Sequence, residues 1–391
     1  MSVLTIGDAP RQARRVCAFD LDGTLITTKS GYQFARSAQD WQWLYTNTLD
    51  RLRAIARPDT WIVIISNQKL TSGARGATDK RRLVENKLRN VYHALTTALP
   101  NAQITFYAAL AVDRYRKPST GIFEDYILDV SGAPGASFTY IGDAAGRAGD
   151  HADSDRKFAY NVHLFLQWSK QRASVRFYTP EEYFLRERSG PRPAWTGFDP
   201  RVYLDRAKLG ELGERARNVV QQIAPRTLVI MVGAPASGKS TFAHALVEAN
   251  PDVVYFGLDD MPRKKNYDSA FLSACANGTR SIVVDATNPD AGARERWLRH
   301  AHLFAHIRIY VQPSMSTEDR ARIAHMNVYR ARLARATPNA PVIPDIAYRM
   351  FYKRYSAPSA REHESVEIVP LAEPRLHFPN AKDLMYFLQR S

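Results

Sequence analysis

Along the first half of the chain, short apolar runs rich in β-branched and aromatic residues alternate with longer amphipathic stretches, and most runs end on a polar residue. Val16–Phe19 ends at Asp20, Trp61–Ile65 at Ser66-Asn67-Gln68, and Phe138–Ile141 at Gly142-Asp143; Ile104–Ala108 is a fourth such run. Lys80–Leu99 lies between two of them and places its apolar residues at helical spacing. Continuous apolar runs predict strands covered on both faces, and the intervening helices are the crossovers that parallel strands require. In such a sheet ligands bind beyond the carboxyl ends of the strands. The polar residues that end these runs fall at that edge.

The alternation breaks between Arg186 and Pro200, where Arg, Gly and Pro crowd together. Arg201–Ile223 then reads as a helix. The strand pattern resumes with Thr227–Val232, Val253–Phe256, Ser281–Val284 and Ile307–Val311, with a helix at Thr241–Glu248. The pattern predicts two α/β domains with mainly parallel sheets: residues 1–190, a linker and helix at 191–224, and residues 225–391. No internal repeat stands out.

Composition narrows the class. A chain of 391 residues is long enough for two domains with separate cores, and its 45% hydrophobic and 24% charged residues are those of a globular protein. No run approaches the roughly 20 apolar residues that span a bilayer, and the N-terminus has no secretory pattern, so no membrane partner is expected. Cys17 and Cys275 are the only cysteines, one in each predicted domain. That argues against a disulfide framework and fits a reducing compartment. The net charge of +15 is shared by both halves, which suits two sites that meet one polyanion.

The first candidate chemistry is Asp20-Leu21-Asp22-Gly23-Thr24. Asp20 ends a buried strand; its carboxylate can attack phosphorus to form an aspartyl-phosphate. Asp22, two residues on, can protonate the leaving oxygen and then activate water, and Gly23 permits the turn. Two carboxylates facing a phosphate need positive charge, which calls for Mg²⁺ and a lysine. Ser66 can hydrogen-bond a phosphate oxygen, Lys117 can stabilise the intermediate, and Asp143 can complete the Mg²⁺ site with Asp20 and the Asp22 carbonyl. This set, in this order, resembles the haloacid-dehalogenase phosphatase superfamily. Asp153 and Asp155 lie close to Asp143: one is expected at the metal site, the other as a surface charge. His151 and His163 lack ligand spacing and are read as structural. Trp41 and Trp43 are either core aromatics or platforms for an unpaired base.

The second is Gly233-Ala-Pro-Ala-Ser-Gly-Lys-Ser-Thr241, between a predicted strand and helix. In a phosphate-binding loop of this form, Gly233 and Gly238 expose backbone amides and the helix N-terminus adds positive potential. Lys239 reaches the β- and γ-phosphates, Ser240 can ligate Mg²⁺, and Ser237 and Thr241 complete the ATP cradle. Asp259 is placed to accept a proton from an attacking hydroxyl, with Asp260 as its rival; Asp285 ends a strand nearby. Arg320, Arg322, Arg330 and Arg332 are candidates for a lid, or else a solvated helix face. A chain with both sites implies a substrate with one phosphate to lose and one to gain.

Taken together, the chain resembles the eukaryotic bifunctional polynucleotide kinase 3′-phosphatases. Phe19–Gly31, Asp40-Trp41, Ser66–Gln68, Arg116–Pro118, Gly142–Arg147, Thr179–Glu182, Phe198–Arg201, Gly233–Thr241, Val284–Pro289 and Tyr352–Pro358 all look like family segments in family order. The resemblance implies a haloacid-dehalogenase-like, Rossmannoid phosphatase followed by a P-loop kinase. It implies Asp20 as nucleophile, Asp22 as acid/base, Asp143 as metal ligand, Lys239 and Ser240 as nucleotide ligands, and Asp259 as activator of the 5′-hydroxyl. The implied function is DNA end-processing in strand-break repair, with Mg²⁺ and ATP, on DNA ends, nicks or gaps. RNA end-healing and a small phosphorylated metabolite are the alternatives. A monomer in the nucleus is expected, with the cytoplasm as the alternative location.

Three departures stand out. Animal relatives carry an N-terminal forkhead-associated domain that docks phosphorylated scaffolds; here Val16 begins the catalytic strand, so that docking is not expected. Leu258 and Ala286 stand where the family suggests Arg and Asn beside the acceptor, and Val328 replaces a lid arginine, leaving Arg330 for that role.

Overall fold

A computed structural model describes residues 2–68, 70, 77–131, 136–171, 173–202, 223–258, 267–275, 280–333, 342–371 and 380–391. Packing divides the chain into two units: Met1–Phe198 with Val328–Val342 and Asn380–Ser391, and Asp199–Asn327 with Ile343–Pro379.

The first unit is built on a six-stranded sheet of β1 (Val3–Ile6), β2 (Arg15–Phe19), β5 (Thr60–Asn67), β6 (Gln103–Ala109), β7 (Ser137–Ile141) and β8 (Ser174–Tyr178), in the order β1-β6-β5-β2-β7-β8. All neighbours are parallel except β1 against β6. The run Trp61–Ile65 becomes the fully buried middle of β5, because helices cover both faces of a parallel sheet. The helices are α1 (Thr48–Ile55), α2 (Ala77–Ala98), the short α3 (Leu128–Ser131) and α4 (Ser154–Trp168). A two-stranded hairpin, β3 (Ile26–Thr27) with β4 (Gln42–Trp43), follows the Asp20 motif. Trp41 and Trp43 meet edge to face at 5.3 Å and, half-buried, pack against the first unit's core.

The second unit holds a five-stranded, wholly parallel sheet of β9 (Thr227–Val232), β10 (Val253–Gly257), β11 (Ser281–Asp285), β12 (His306–Val311) and β13 (Val366–Pro370), ordered β10-β11-β9-β12-β13. Its described helices are α5 (Lys239–Ala249), α6 (Tyr267–Cys275), α7 (Ala291–Leu298), α8 (Thr317–Leu333) and α9 (Asp345–Arg354). The last turns of α8, from Val328, group with the first unit, as does α10 (Ala381–Leu388).

The eight strands predicted from the pattern are all present. Those not foreseen are the edge strands β1, β8 and β13 and the short hairpin, whose half-exposed sequences are not continuously apolar. The helix expected over Arg201–Ile223 lies mostly outside the described residues. Cys17 and Cys275 are free and lie in different units. Among the described residues no helix is long and apolar enough to cross a membrane.

Candidate active sites

In the first unit β2 is paired on one side with β5 and on the other with β7, with Phe19 level with Ile64 and Ile141. The residues that follow these three strands therefore emerge side by side. Asp20 extends the pairing by one step, its N–H donating to the Ile141 carbonyl at 2.8 Å. Lys117 comes from the loop after β6, and Asp155 from the first turn of α4. Thr24 Oγ1 accepts from the Asp143 N–H at 3.1 Å and ties the Asp20 loop to the Asp143 loop.

One carboxylate oxygen from each of Asp20, Asp143 and Asp155 lies within 4.8 Å of the others. Lys117 Nζ donates to Asp20 Oδ1, to the Ile65 carbonyl at 2.8 Å and to Tyr140 OH at 2.8 Å, and it is paired with Asp155 Oδ1 at 2.8 Å. Tyr140 OH donates in turn to Asp155 Oδ1 at 3.0 Å. Two glycines make room for the cluster. A Cβ on Gly23, whose φ is +82°, would lie 2.6 Å from Asp143 Oδ2, and one on Gly142 would lie 2.5 Å from the Asp155 side chain.

Three carboxylates around one ammonium are overcharged. Burial, together with the neighbouring Asp155 and Asp143 and against the pull of Lys117, holds the Asp20 carboxyl well above its usual range. Burial and Asp155 push Asp143 up to about 6. Burial works against the Lys117 ammonium, yet Asp155 and Asp20 raise its pKa above the ordinary value. Asp20, Asp143 and Lys117 therefore each keep their protons to higher pH than the free groups would. A divalent cation fits this donor set, since hard oxygen ligands and surplus negative charge are what Mg²⁺ requires.

Of the other expected residues, Ser66 is buried and its Oγ accepts from Gln68 Nε2 at 2.8 Å. The Asp22 side chain lies outside the three-carboxylate cluster. It accepts from Gln68 Nε2 at 2.6 Å and from Lys87 Nζ at 2.8 and 3.2 Å. Lys87, on α2, is buried, and its role had no sequence signal: a lysine in an amphipathic helix reads as solvated. Asn67 was likewise missed; its side chain clamps the Lys117 backbone, donating to its carbonyl at 3.0 Å and accepting from its N–H at 2.9 Å.

The neighbours of Asp143 need correction. Asp155 joins the cluster, but Asp153 is not a surface charge: it is buried against Lys157 at 2.9 Å and Thr196 Oγ1 at 2.8 Å. His151 and His163 are both exposed, and His151 Nδ1 lies 3.9 Å from Asp143 Oδ2.

In the second unit the loop between β9 and α5 carries Gly233 through Gly238. Gly238 has a φ of +101° at the N-cap of α5, and a Cβ on Gly233 would lie 2.9 Å from Ser237 Oγ. The Gly233 N–H donates to the Thr287 carbonyl at 3.2 Å, joining this loop to the segment after β11. Lys239 is buried with Nζ donating to the Ala234 carbonyl at 2.8 Å, while Ser240 and Thr241 are exposed on the first turn of α5. Ser237 Oγ is buried with no hydrogen-bond partner. An orphaned hydroxyl in a glycine-rich loop at a helix N-terminus fits an anionic ligand.

Asp285, at the end of β11, accepts from Tyr255 OH at 2.9 Å, and Leu258 packs into the apolar core of this unit. Asp259 and Asp260 lie outside the described residues. The lid reading does not hold for two of its arginines. Arg322 is buried, donating to the Pro313 carbonyl at 3.0 Å and pairing with Asp319 at 3.3 Å, and Arg332 is fully buried. Arg320 lies over the Tyr352 ring at 4.2 Å, and Arg330 is exposed on α8.

Residues 15–184 match the protein family described as polynucleotide kinase 3 phosphatase, and residues 228–333 match one described as an AAA domain. A bifunctional polynucleotide phosphatase/kinase of Schizosaccharomyces pombe is 33% identical over 362 residues, 92% of this chain and 80% of that protein. A putative bifunctional polynucleotide phosphatase/kinase of Acanthamoeba polyphaga mimivirus is 26% identical over 390 residues, covering 91% of this chain and 84% of its own. A polynucleotide 3′-phosphatase of Saccharomyces cerevisiae is 33% identical over 213 residues, covering 42% of this chain and 85% of its own.

Proposed function

The chain belongs to the bifunctional polynucleotide phosphatase/kinase family, and from that premise we propose how its two sites divide the work. It is a 3′-phosphatase and 5′-hydroxyl kinase of repair, acting on polynucleotide ends. The observation that carries the phosphatase half is the buried cluster of Asp20, Asp143 and Asp155 around Lys117.

Asp20 attacks the phosphorus of a 3′-phosphate, so an Asp20–phosphorus bond forms as the bond to the 3′-oxygen breaks. Asp22 gives its proton to that oxygen, leaving a 3′-hydroxyl. Water then attacks the aspartyl-phosphate, Asp22 takes the water proton, and inorganic phosphate leaves. Gln68 and Lys87 hold the Asp22 carboxylate for both transfers. Lys117 and Ser66 receive the phosphoryl oxygens. Mg²⁺, held by Asp20, Asp143 and the Asp22 carbonyl with Asp155 beside them, supplies charge neutralisation when bound.

In the second unit, Gly233, Ser237, Gly238, Lys239, Ser240 and Thr241 hold the ATP phosphates, and Ser240 is the protein's ligand to the accompanying Mg²⁺. Asp259 is assigned the acceptor proton, from the family resemblance. DNA is the preferred substrate and the nucleus the expected location, on the same ground.

The test is a nicked duplex with a 3′-phosphate and a 5′-hydroxyl, incubated with Mg²⁺ and ATP. Both ends should be converted; Asp20→Asn should lose only the 3′ reaction and Lys239→Ala only the 5′ reaction. Turnover of a small sugar phosphate with neither end converted would sink the polynucleotide reading.

A further inference from the structure

Residues 328–342 and 380–391 pack with the first unit although they lie far along the chain. Their described part converges behind Lys117. Arg332, at the end of α8, is fully buried, and its guanidinium donates to three carbonyls: Tyr386 at 3.1 Å, Gln389 at 2.8 Å and Arg390 at 2.8 Å. Its Nε reaches Ser119 Oγ at 3.2 Å.

The residues so gathered hold the loop that follows the lysine, one position after another. Pro118 is held through its carbonyl, which accepts from Asn161 Nδ2 at 2.8 Å. The same Asn161 side chain, on α4, accepts from the Arg390 N–H and donates to the Arg390 carbonyl, each at 2.8 Å. Ser119 is held by Arg332. Thr120 Oγ1 accepts from Gln389 Nε2 at 3.0 Å and donates to Glu124 Oε1 at 2.5 Å, while Tyr386 OH donates to Glu124 Oε2 at 2.6 Å. Ser119, Thr120, Asn161, Arg332 and Gln389 are all buried.

A guanidinium buried on carbonyls and a hydroxyl is a costly way to gain stability, since a well-packed apolar side chain serves as well or better. What it supplies is fixed geometry. The Lys117 ammonium needs that geometry, because it must sit between Asp20 and Asp155. We propose that Arg332, Gln389 and Arg390 are positioning residues of the 3′-phosphatase: they lock residues 118–120 and, through them, the placement of Lys117. Segments that follow the P-loop in sequence thus set the rate of the other reaction. This rests on the phosphatase reading above.

The test compares the full chain with its Gln389→Ala and Arg332→Met variants. Phosphatase kcat and KM on an oligonucleotide 3′-phosphate are measured beside melting temperature and 5′-kinase activity of the same preparations. A misplacement approaching 1 Å costs on the order of 100-fold. The expected result is a kcat lowered roughly 10- to 100-fold with KM and kinase activity within about twofold. The milder Gln389→Ala variant keeps the test open if Arg332→Met fails to fold. An unchanged kcat in Gln389→Ala would overturn the proposal. So would a kcat loss that merely follows the loss of folded protein. A parent chain that releases no phosphate would instead remove the phosphatase reading on which the proposal stands.

Discussion

Replacing Lys117 by methionine keeps most of the side-chain volume and removes the one ammonium that Asp20 and Asp155 share. Removing one partner of a buried ion pair costs roughly 3–5 kcal/mol, because the other charge is left uncompensated. Here the carboxylates can escape by taking up protons. A carboxyl raised in the folded state binds more protons there than in the unfolded chain between its two pKa values. The stability it adds is therefore full at low pH and is lost as pH rises, from 3.8 to about 6 for Asp143 in the parent. Without Lys117, which opposes the rise in Asp20 and Asp143, that window moves upward. One further proton bound by the folded variant changes its stability by about 1.4 kcal/mol per pH unit. Lys117 itself, raised above 10.5, stays charged across this range and adds no slope. In the absence of metal the variant should lose about 3–5 kcal/mol against the parent at pH 8, and at least about 2 kcal/mol less at pH 5. Urea unfolding followed by hydrogen exchange of the β2 and β5 amides reports the first unit separately. Added Mg²⁺ should recover part of the loss at pH 8, and phosphatase kcat should fall roughly 10²–10⁴-fold. A loss that stayed constant or grew from pH 8 to pH 5 would refute the charge-crowding account.

Gly23→Ala should abolish Mg²⁺-dependent stabilisation and phosphatase turnover, since the new Cβ meets Asp143 Oδ2 at 2.6 Å and the φ of +82° adds about 1 kcal/mol of strain; a Mg²⁺ titration followed by melting checks it, with kinase activity unchanged. Lys87→Met removes both contacts at 2.8 and 3.2 Å from Asp22 and should lower phosphatase kcat about 100-fold with little change in KM; steady-state kinetics on a 3′-phosphate oligonucleotide would show it. Arg294→Met breaks the pair between the fully buried Arg294 and the half-buried Glu362, bonded at 2.7 and 2.6 Å, and should cost the second unit about 3 kcal/mol. Adding Glu362→Gln should return part of that loss in a double-mutant cycle, and strict additivity would contradict the pairing.

Much was legible in the chain because it is local. Uninterrupted runs such as Trp61–Ile65 mark strands buried on both faces, and the residues that end them mark the chemical edge of a parallel sheet. The spacing of Asp20 and Asp22, and of Gly233 through Ser240, is short-range geometry that a strand end or a helix N-terminus imposes whatever the rest of the chain does. What stayed hidden depends on partners distant in sequence. Asp153 and Asp155 look equivalent as letters; only the packing of α4 turns one to Lys157 and Thr196 and the other to Lys117. Lys87 reads as solvated until Asp22, 65 residues away, meets it. Arg332 reads as a lid residue until the carbonyls of Tyr386, Gln389 and Arg390 enclose it. Side-chain chemistry and local periodicity belong to the sequence itself. Burial and partner choice are decided only when separated segments close on one another, and that closure determines which charges are left to do chemistry.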